Sequence, residues 1–144
     1  MKTFTLDEAQ SLLPLVESLM KRAIDGKQAA EAIDNELSSL SRRIHLAGGM
    51  TVNVSQVAAQ RIEMEKQIQR ARETMAEIDE IGVQVKDLDT GLLDFPCNID
   101  GETVLLCWKL GESSIEHWHT VESGFQGRQP IDERFRRRST TRLN

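Results

Sequence analysis

From Val16 onward, apolar or small residues fall at Val16, Leu19, Ala23, Gly26, Ala30, Ile33, Leu37, Leu40 and Ile44, in steps that alternate three and four. A second run repeats the pattern at Val54, Val57, Arg61, Met64, Ile68, Ala71, Met75 and Ile78. Steps of this kind place one seam along one face of an α-helix and describe a coiled-coil-like pair. Gly48-Gly49 between the runs stops the first helix, since glycine takes the left-handed terminal conformation without a Cβ clash. Two seams of similar length on a short connection predict an antiparallel helical hairpin about 45 Å long at ~1.5 Å per residue. Its start is written in Thr5-Leu6-Asp7-Glu8, which has capping-box form, and Asn53 with Gln56 caps the second helix. Pro14 lacks the amide a helix interior needs, which favours a short first helix and a restart at Pro14, with a kinked continuous helix as the competing reading.

Met20 and Ile62 lie beside the seams and widen the apolar stripe beyond what one helix covers. The hairpin is therefore expected to pack on a second copy, as a homodimer, or on another protein partner.

Both tryptophans, both cysteines and two of the three histidines lie between Gly82 and Phe135. Val83 to Leu88, Leu92 to Cys97 and Thr103 to Leu110 read as strands, joined at Asp89-Thr90-Gly91 and Asn98-Ile99-Asp100-Gly101. A three-residue first loop pairs Val85 with Phe95 and Lys86 with Asp94. Pairing Cys97 with Glu102 sets Phe95 opposite Val104 and Leu93 opposite Leu106. One face then gathers Val83, Val85, Leu93, Phe95, Cys97, Val104, Leu106 and Trp108 as the core. For residues 113–123, a fourth strand carrying Ile115 to His119 is the first choice and a short helix the second. With Trp118 on the core face, Ile115 would point outward. The fold class expected is α+β: a long antiparallel helical hairpin with a short N-terminal helix (residues 1–81), a small antiparallel sheet of three to four strands at its base (82–131) and a basic, mobile tail (132–144).

That arrangement turns His117 and His119 to the other face, near Asp94 and Cys107. Two imidazoles with a carboxylate and a thiolate can hold a divalent metal, and a neutral imidazole can act as a general base near pH 7. The plainer alternative is a Lys86–Asp94 cross-strand pair, a buried cysteine and two partly exposed histidines. No phosphate loop, nucleophile elbow or zinc-finger spacing occurs elsewhere, so no resident cofactor is expected, a divalent metal being the alternative, and enzymatic activity is not the first reading. Arg128 could bind an anion through its planar fork, but an anchor to Glu112 or Glu122 is the ordinary role.

Charge grades along the chain. Residues 1–81 carry 10 Lys/Arg and 13 Asp/Glu, 82–127 carry 2 and 8, and 128–144 carry 6 and 2, giving −3, −6 and +4 within a net charge of −5. An acidic body repels nucleic acid, leaving only Arg134, Arg136, Arg137, Arg138 and Arg142 to attract it. Acidic residues precede any apolar run at the start, and no stretch reaches the ~18 apolar residues of a membrane span. A cytoplasmic protein with Cys97 and Cys107 as free thiols is the expectation.

Gly82-Val83, Asp94-Phe95-Pro96, Leu106-Cys107-Trp108-Lys109-Leu110-Gly111-Glu112, Trp118-His119 and Gly124-Phe125-Gln126-Gly127-Arg128-Gln129-Pro130-Ile131, with the opening Phe4-Thr5-Leu6-Asp7-Glu8-Ala9 and Leu12-Leu13-Pro14, resemble an uncharacterised bacterial family. It is the domain of unknown function two-two-zero-three, and the likeness covers about residues 3–131. The resemblance implies no activity. It marks Asp87, Asp94, Trp108, Glu112, Trp118, His119 and Arg128 as distinctive positions; His117 departs from a usually aromatic one. Three functions are weighed. The first is a non-enzymatic interaction or oligomerisation protein using the hairpin. The second is a metal- or small-ligand-binding protein, or a hydrolase, around Asp94, Glu112, His119 and Arg128, with Trp108 and Trp118 nearby. The third is a weak RNA or ribosome contact through the arm and basic tail.

Overall fold

The computed structural model describes residues 2–136. Helix α1 spans Leu6–Leu46 and helix α2 Val54–Ile81. The two pack along each other as the seams require. At the start of α1 the Thr5 hydroxyl accepts from Glu8 N at 3.1 Å, while Glu8 Oε1 accepts from Thr5 N at 2.8 Å. At α2 the Asn53 side chain accepts from Gln56 N at 3.0 Å.

The break expected at Pro14 does not occur: α1 runs through it. Pro14 itself is exposed, while Ala9, Leu13, Val16 and Met20 around it are buried. The backbone bond that proline removes thus falls on the solvent side, where water can satisfy the freed carbonyl, and burial on the inner side holds both segments in one helix.

Five strands follow: β1 Gln84–Asp87, β2 Leu92–Ile99, β3 Glu102–Lys109, β4 His117–Thr120 and β5 Gln129–Pro130, antiparallel in the order β1-β2-β3-β4-β5. The fifth strand was not foreseen; it is two residues long, too short for any alternation to show. Two registers differ from expectation. Val85 pairs with Leu93 rather than Phe95, with an irregularity between Val85 and Asp87, and Cys97 pairs with Val104 rather than Glu102. Each slip is of two residues, which returns every side chain to its original face.

The core face is accordingly the expected one. Val83, Leu93, Phe95, Cys97, Val104, Leu106, Trp108 and Trp118 cluster with Ala9, Leu13, Val16, Leu19 and Met20 of α1 and Ile78 of α2, and half-buried Val85 packs against them. Ile115 does not point outward. The strand begins only at His117, so Ile115 turns into the core at 4% exposure, and its amide donates to Gln10 Oε1 at 2.9 Å. Phe4 N donates to Pro96 O at 2.7 Å, and the Phe4 ring meets Phe95 edge-on at 5.5 Å, tying the chain's start to β2.

Two glycines are dictated by space. At Gly26 a Cβ would lie 3.1 Å from Gln67 O and 3.4 Å from Ala71 Cβ, so the missing side chain lets α1 and α2 approach closely. At Gly91, with φ +71°, a Cβ would lie 2.4 Å from Leu110 Cβ.

The segment assigned to a basic tail begins inside the folded body. A helical turn at 133–136 buries Phe135 to 1% exposure, with its ring 5.5 Å from Trp118. Arg134 pairs with Asp132 at 3.0 Å and lies over the Trp118 ring at 5.3 Å. Arg137, Arg138 and Arg142 lie outside the described residues. No helix is long and apolar enough to cross a membrane, among the described residues.

Candidate functional site

On the face of the sheet away from the helices, Asp94 of β2 pairs with Cys107 of β3, and Cys107 with His117 of β4. His119 stands two residues along β4, on the same face. Strand alternation thus lines up all four residues named from sequence, but their side chains divide into two groups.

The first group is Asp94, Cys107 and His119. One ligand atom from each lies within 4.8 Å of the others. The three residues are 1%, 0% and 3% exposed. His119 Nε2 lies 3.0 Å from Asp94 Oδ1, and its Nδ1 lies 2.7 Å from Thr120 O. A carbonyl can only accept, so Nδ1 carries a proton and the Nε2 side faces the carboxylate. Asp94 Oδ2 is buried and finds no hydrogen-bond partner among the described residues. The Lys86–Asp94 pair weighed as the plainer alternative does not form, because the register sets Gln84, not Lys86, opposite Asp94.

Burial pushes the Cys107 thiol up from 9.0 to about 12, reinforced by the nearby Asp94 charge and opposed by Arg128. A thiol held in that way is a poor nucleophile. The buried His119–Asp94 pair likewise has no surface from which to take a substrate's proton. What the three donors can accept is a small cation.

The second group is at the sheet edge. Arg128 NH2 donates to Glu112 Oε2 and to His117 Nδ1, each at 2.5 Å, and its guanidinium lies 4.8 Å from the Phe125 ring centre. Glu112 Oε1 accepts from Lys109 N at 2.8 Å, and Glu112 O accepts from Trp108 Nε1 at 3.0 Å. These bonds close the turn after β3, giving Arg128 the anchoring role expected of it. His117 is thereby drawn away from the buried trio.

Of the other residues marked from sequence, Asp87 accepts from Asp89 N at 3.0 Å inside the β1–β2 turn. Trp108 and Trp118 belong to the core face, opposite Asp94 and His119. The ligand-binding set Asp94, Trp108, Glu112, Trp118, His119 and Arg128 is therefore three structural neighbourhoods. Two contributors escaped sequence reasoning: the Thr120 carbonyl, which no side-chain pattern reports, and Phe125, which stacks on Arg128.

A further surface feature lies on the hairpin. A groove of about 550 Å³ runs between α1 and α2, floored by Ala30, Met64, Ile68, Ala71, Met75 and Leu88, with Lys27, Glu31 and Asp34 on its α1 side and Arg72 on its α2 side.

The family model described as "Uncharacterized conserved protein (DUF2203)" matches residues 2–131. No curated protein and no solved structure matches the chain.

Proposed function

The chain belongs to the DUF2203 family, and from that premise we propose that it is a non-enzymatic assembly protein whose helical arm pairs with the arm of a second copy. One observation carries this reading: no residue from 31 to 73 is buried, although both heptad seams run through that stretch, to Ile44 in α1 and from Val54 in α2. Ile33, Leu37, Leu40, Ile44, Val57, Met64 and Ile68 are each only half-buried. One helix covers one side of its neighbour, and a stripe of this width needs cover from a second direction.

A second copy suits the groove because its α1 rim, where Lys27 is already paired with Glu31 and Asp89, leaves Asp34 as an acidic group, while its α2 rim carries Arg72. A two-fold axis along the hairpin face lays α1 of each chain over α2 of the other, so Asp34 of each copy meets Arg72 of the other, twice over. The four helices would then share one seam, as in a four-helix bundle.

Light scattering on size-exclusion eluate at micromolar concentration tests the reading. The expected result is a dimer that becomes monomeric in Met64→Lys and Ile68→Lys with the far-UV circular dichroism retained, since neither residue belongs to the core. A wild-type monomer overturns the proposal, and so does a dimer that survives both substitutions.

A further inference from the structure

We propose that Asp94, Cys107 and His119 form a buried site for one divalent transition-metal ion, with zinc as the best match. The inference is independent of how the arm associates. It starts from chemistry: a carboxylate oxygen, a thiolate sulfur and an imidazole nitrogen are the ligand types that zinc takes, whereas magnesium and calcium take oxygen ligands only. Donors bonded to one tetrahedral zinc at about 2.0–2.3 Å sit about 3.3–3.8 Å apart. The trio's atoms, within 4.8 Å of one another, close on an ion by about 1 Å of side-chain movement, which a change of side-chain torsion supplies without moving the strands.

Three further features of the site point the same way. Asp94 Oδ2 is a buried oxygen to which no N–H or O–H group donates among the described residues, the Cys107 thiol being the polar group beside the carboxylate. A carboxylate that chelates through both oxygens uses Oδ2, and gives four donor atoms from three residues. The His119 Nδ1–H bond to Thr120 O is the second-shell contact by which proteins fix a metal-binding imidazole, leaving the Nε2 lone pair for the ion. With the proton on Nδ1, a neutral His119 would set that lone pair against the Asp94 oxygen, two acceptors 3.0 Å apart. A metal ion between them resolves the conflict, as a second ring proton does in the metal-free pair.

Charge balances as well. Asp94 and a thiolate at Cys107 together carry −2, which a divalent ion cancels, so the filled site is neutral where a net charge would be costly. Arg128 adds little to this sum, because Glu112 already neutralises it. The ligands stand on β2, β3 and β4, three adjacent strands, which hold their spacing more tightly than loops would. Because the site is closed to solvent, the ion would enter as the chain folds.

The test uses the full chain, purified without chelator, and reads zinc by native mass spectrometry. The same chain is then refolded from urea with Co²⁺, where a thiolate ligand produces a sulfur-to-cobalt charge-transfer band. The expected results are one zinc per chain and a band that is lost in Cys107→Ser but kept in Cys97→Ser, whose thiol lies on the core face. His119→Ala should weaken cobalt binding by about 100-fold or more, at or beyond the upper end of the loss for an outer-shell partner. A metal-free wild type that refolds without the band overturns the proposal and leaves Asp94 and His119 as a buried ion pair. A band that survives Cys107→Ser overturns it equally. If Cys107→Ser does not fold, the near-isosteric Asp94→Asn serves in its place: about 100-fold weaker cobalt binding is expected, and unchanged affinity refutes the site.

Discussion

Replacing Phe135 by alanine removes an aromatic ring from the last described turn of the chain, a place where composition alone suggests a solvated basic end. Phe135 is 1% exposed and its ring sits 5.5 Å from Trp118 at a 45° tilt. Phe→Ala in a packed core costs about 3–5 kcal/mol, of which the ring pair supplies roughly 0.5–1.5. Residues 133–136 sit at the edge of the fold and can partly close the gap, so the low end of the range, about 3 kcal/mol, is the expected loss. Against a typical total of about 5–15 kcal/mol that is a large fraction. With an unfolding slope of about 2 kcal/mol per molar urea, the midpoint should fall by about 1.5 M. Urea titration followed by tryptophan fluorescence reads this directly, because Trp118 is the ring's neighbour. Glu133→Ala, an exposed change in the same turn, should stay within about 0.5 kcal/mol. A loss below about 1 kcal/mol for Phe135→Ala would refute the reasoning, since no ring packed as described leaves so cheaply.

Gly26→Leu should lower stability by about 1–3 kcal/mol despite the helix propensity gained, because its Cβ would start 3.1 Å from Gln67 O; a thermal midpoint equal to wild type would show that the helices do not approach as described. Above about pH 9 an unfolded chain releases the Cys107 proton while the folded chain keeps it to about 12, so the folded state binds more protons and stability falls as pH rises. The contribution is full below pH 9 and is lost at about 1.4 kcal/mol per pH unit across that window. Chelator-treated Cys107→Ala should therefore show a shallower alkaline decline than chelator-treated wild type in urea titrations, and identical slopes would contradict the burial of the thiol.

The helices were legible because a seam in steps of three and four repeats many times, and each repeat restates the same face. At Pro14 a local rule weighs one lost hydrogen bond, whereas the burial of Ala9, Leu13, Val16 and Met20 on either side outweighs it. In the sheet, faces were legible and partners were not. Alternation has a period of two, so the hydrophobic pattern of β2 and β3 accepts a slip of two residues without complaint. The like slip between β1 and β2 sets Gln84, not Lys86, opposite Asp94, so the expected ion pair does not form. The buried trio follows from the face alone and so survived the error. Its separation from His117 did not, since Arg128 reaches His117 from residues far along the chain. Phe135 was invisible for a different reason: a single apolar residue among arginines has no period.

Because the buried core draws only on residues up to Ala30 and from Thr74 onward, the length of the arm is uncoupled from the identity of the fold. Seven residues added to each helix between those limits would extend its reach by about 10.5 Å at 1.5 Å per residue and return the seam nearly to the same face. The sheet would register none of this. The body fixes what the protein is, and the arm sets how far from that body its tip stands, which makes the hairpin a spacer whose span can change in steps of one heptad while everything at its base stays as it is.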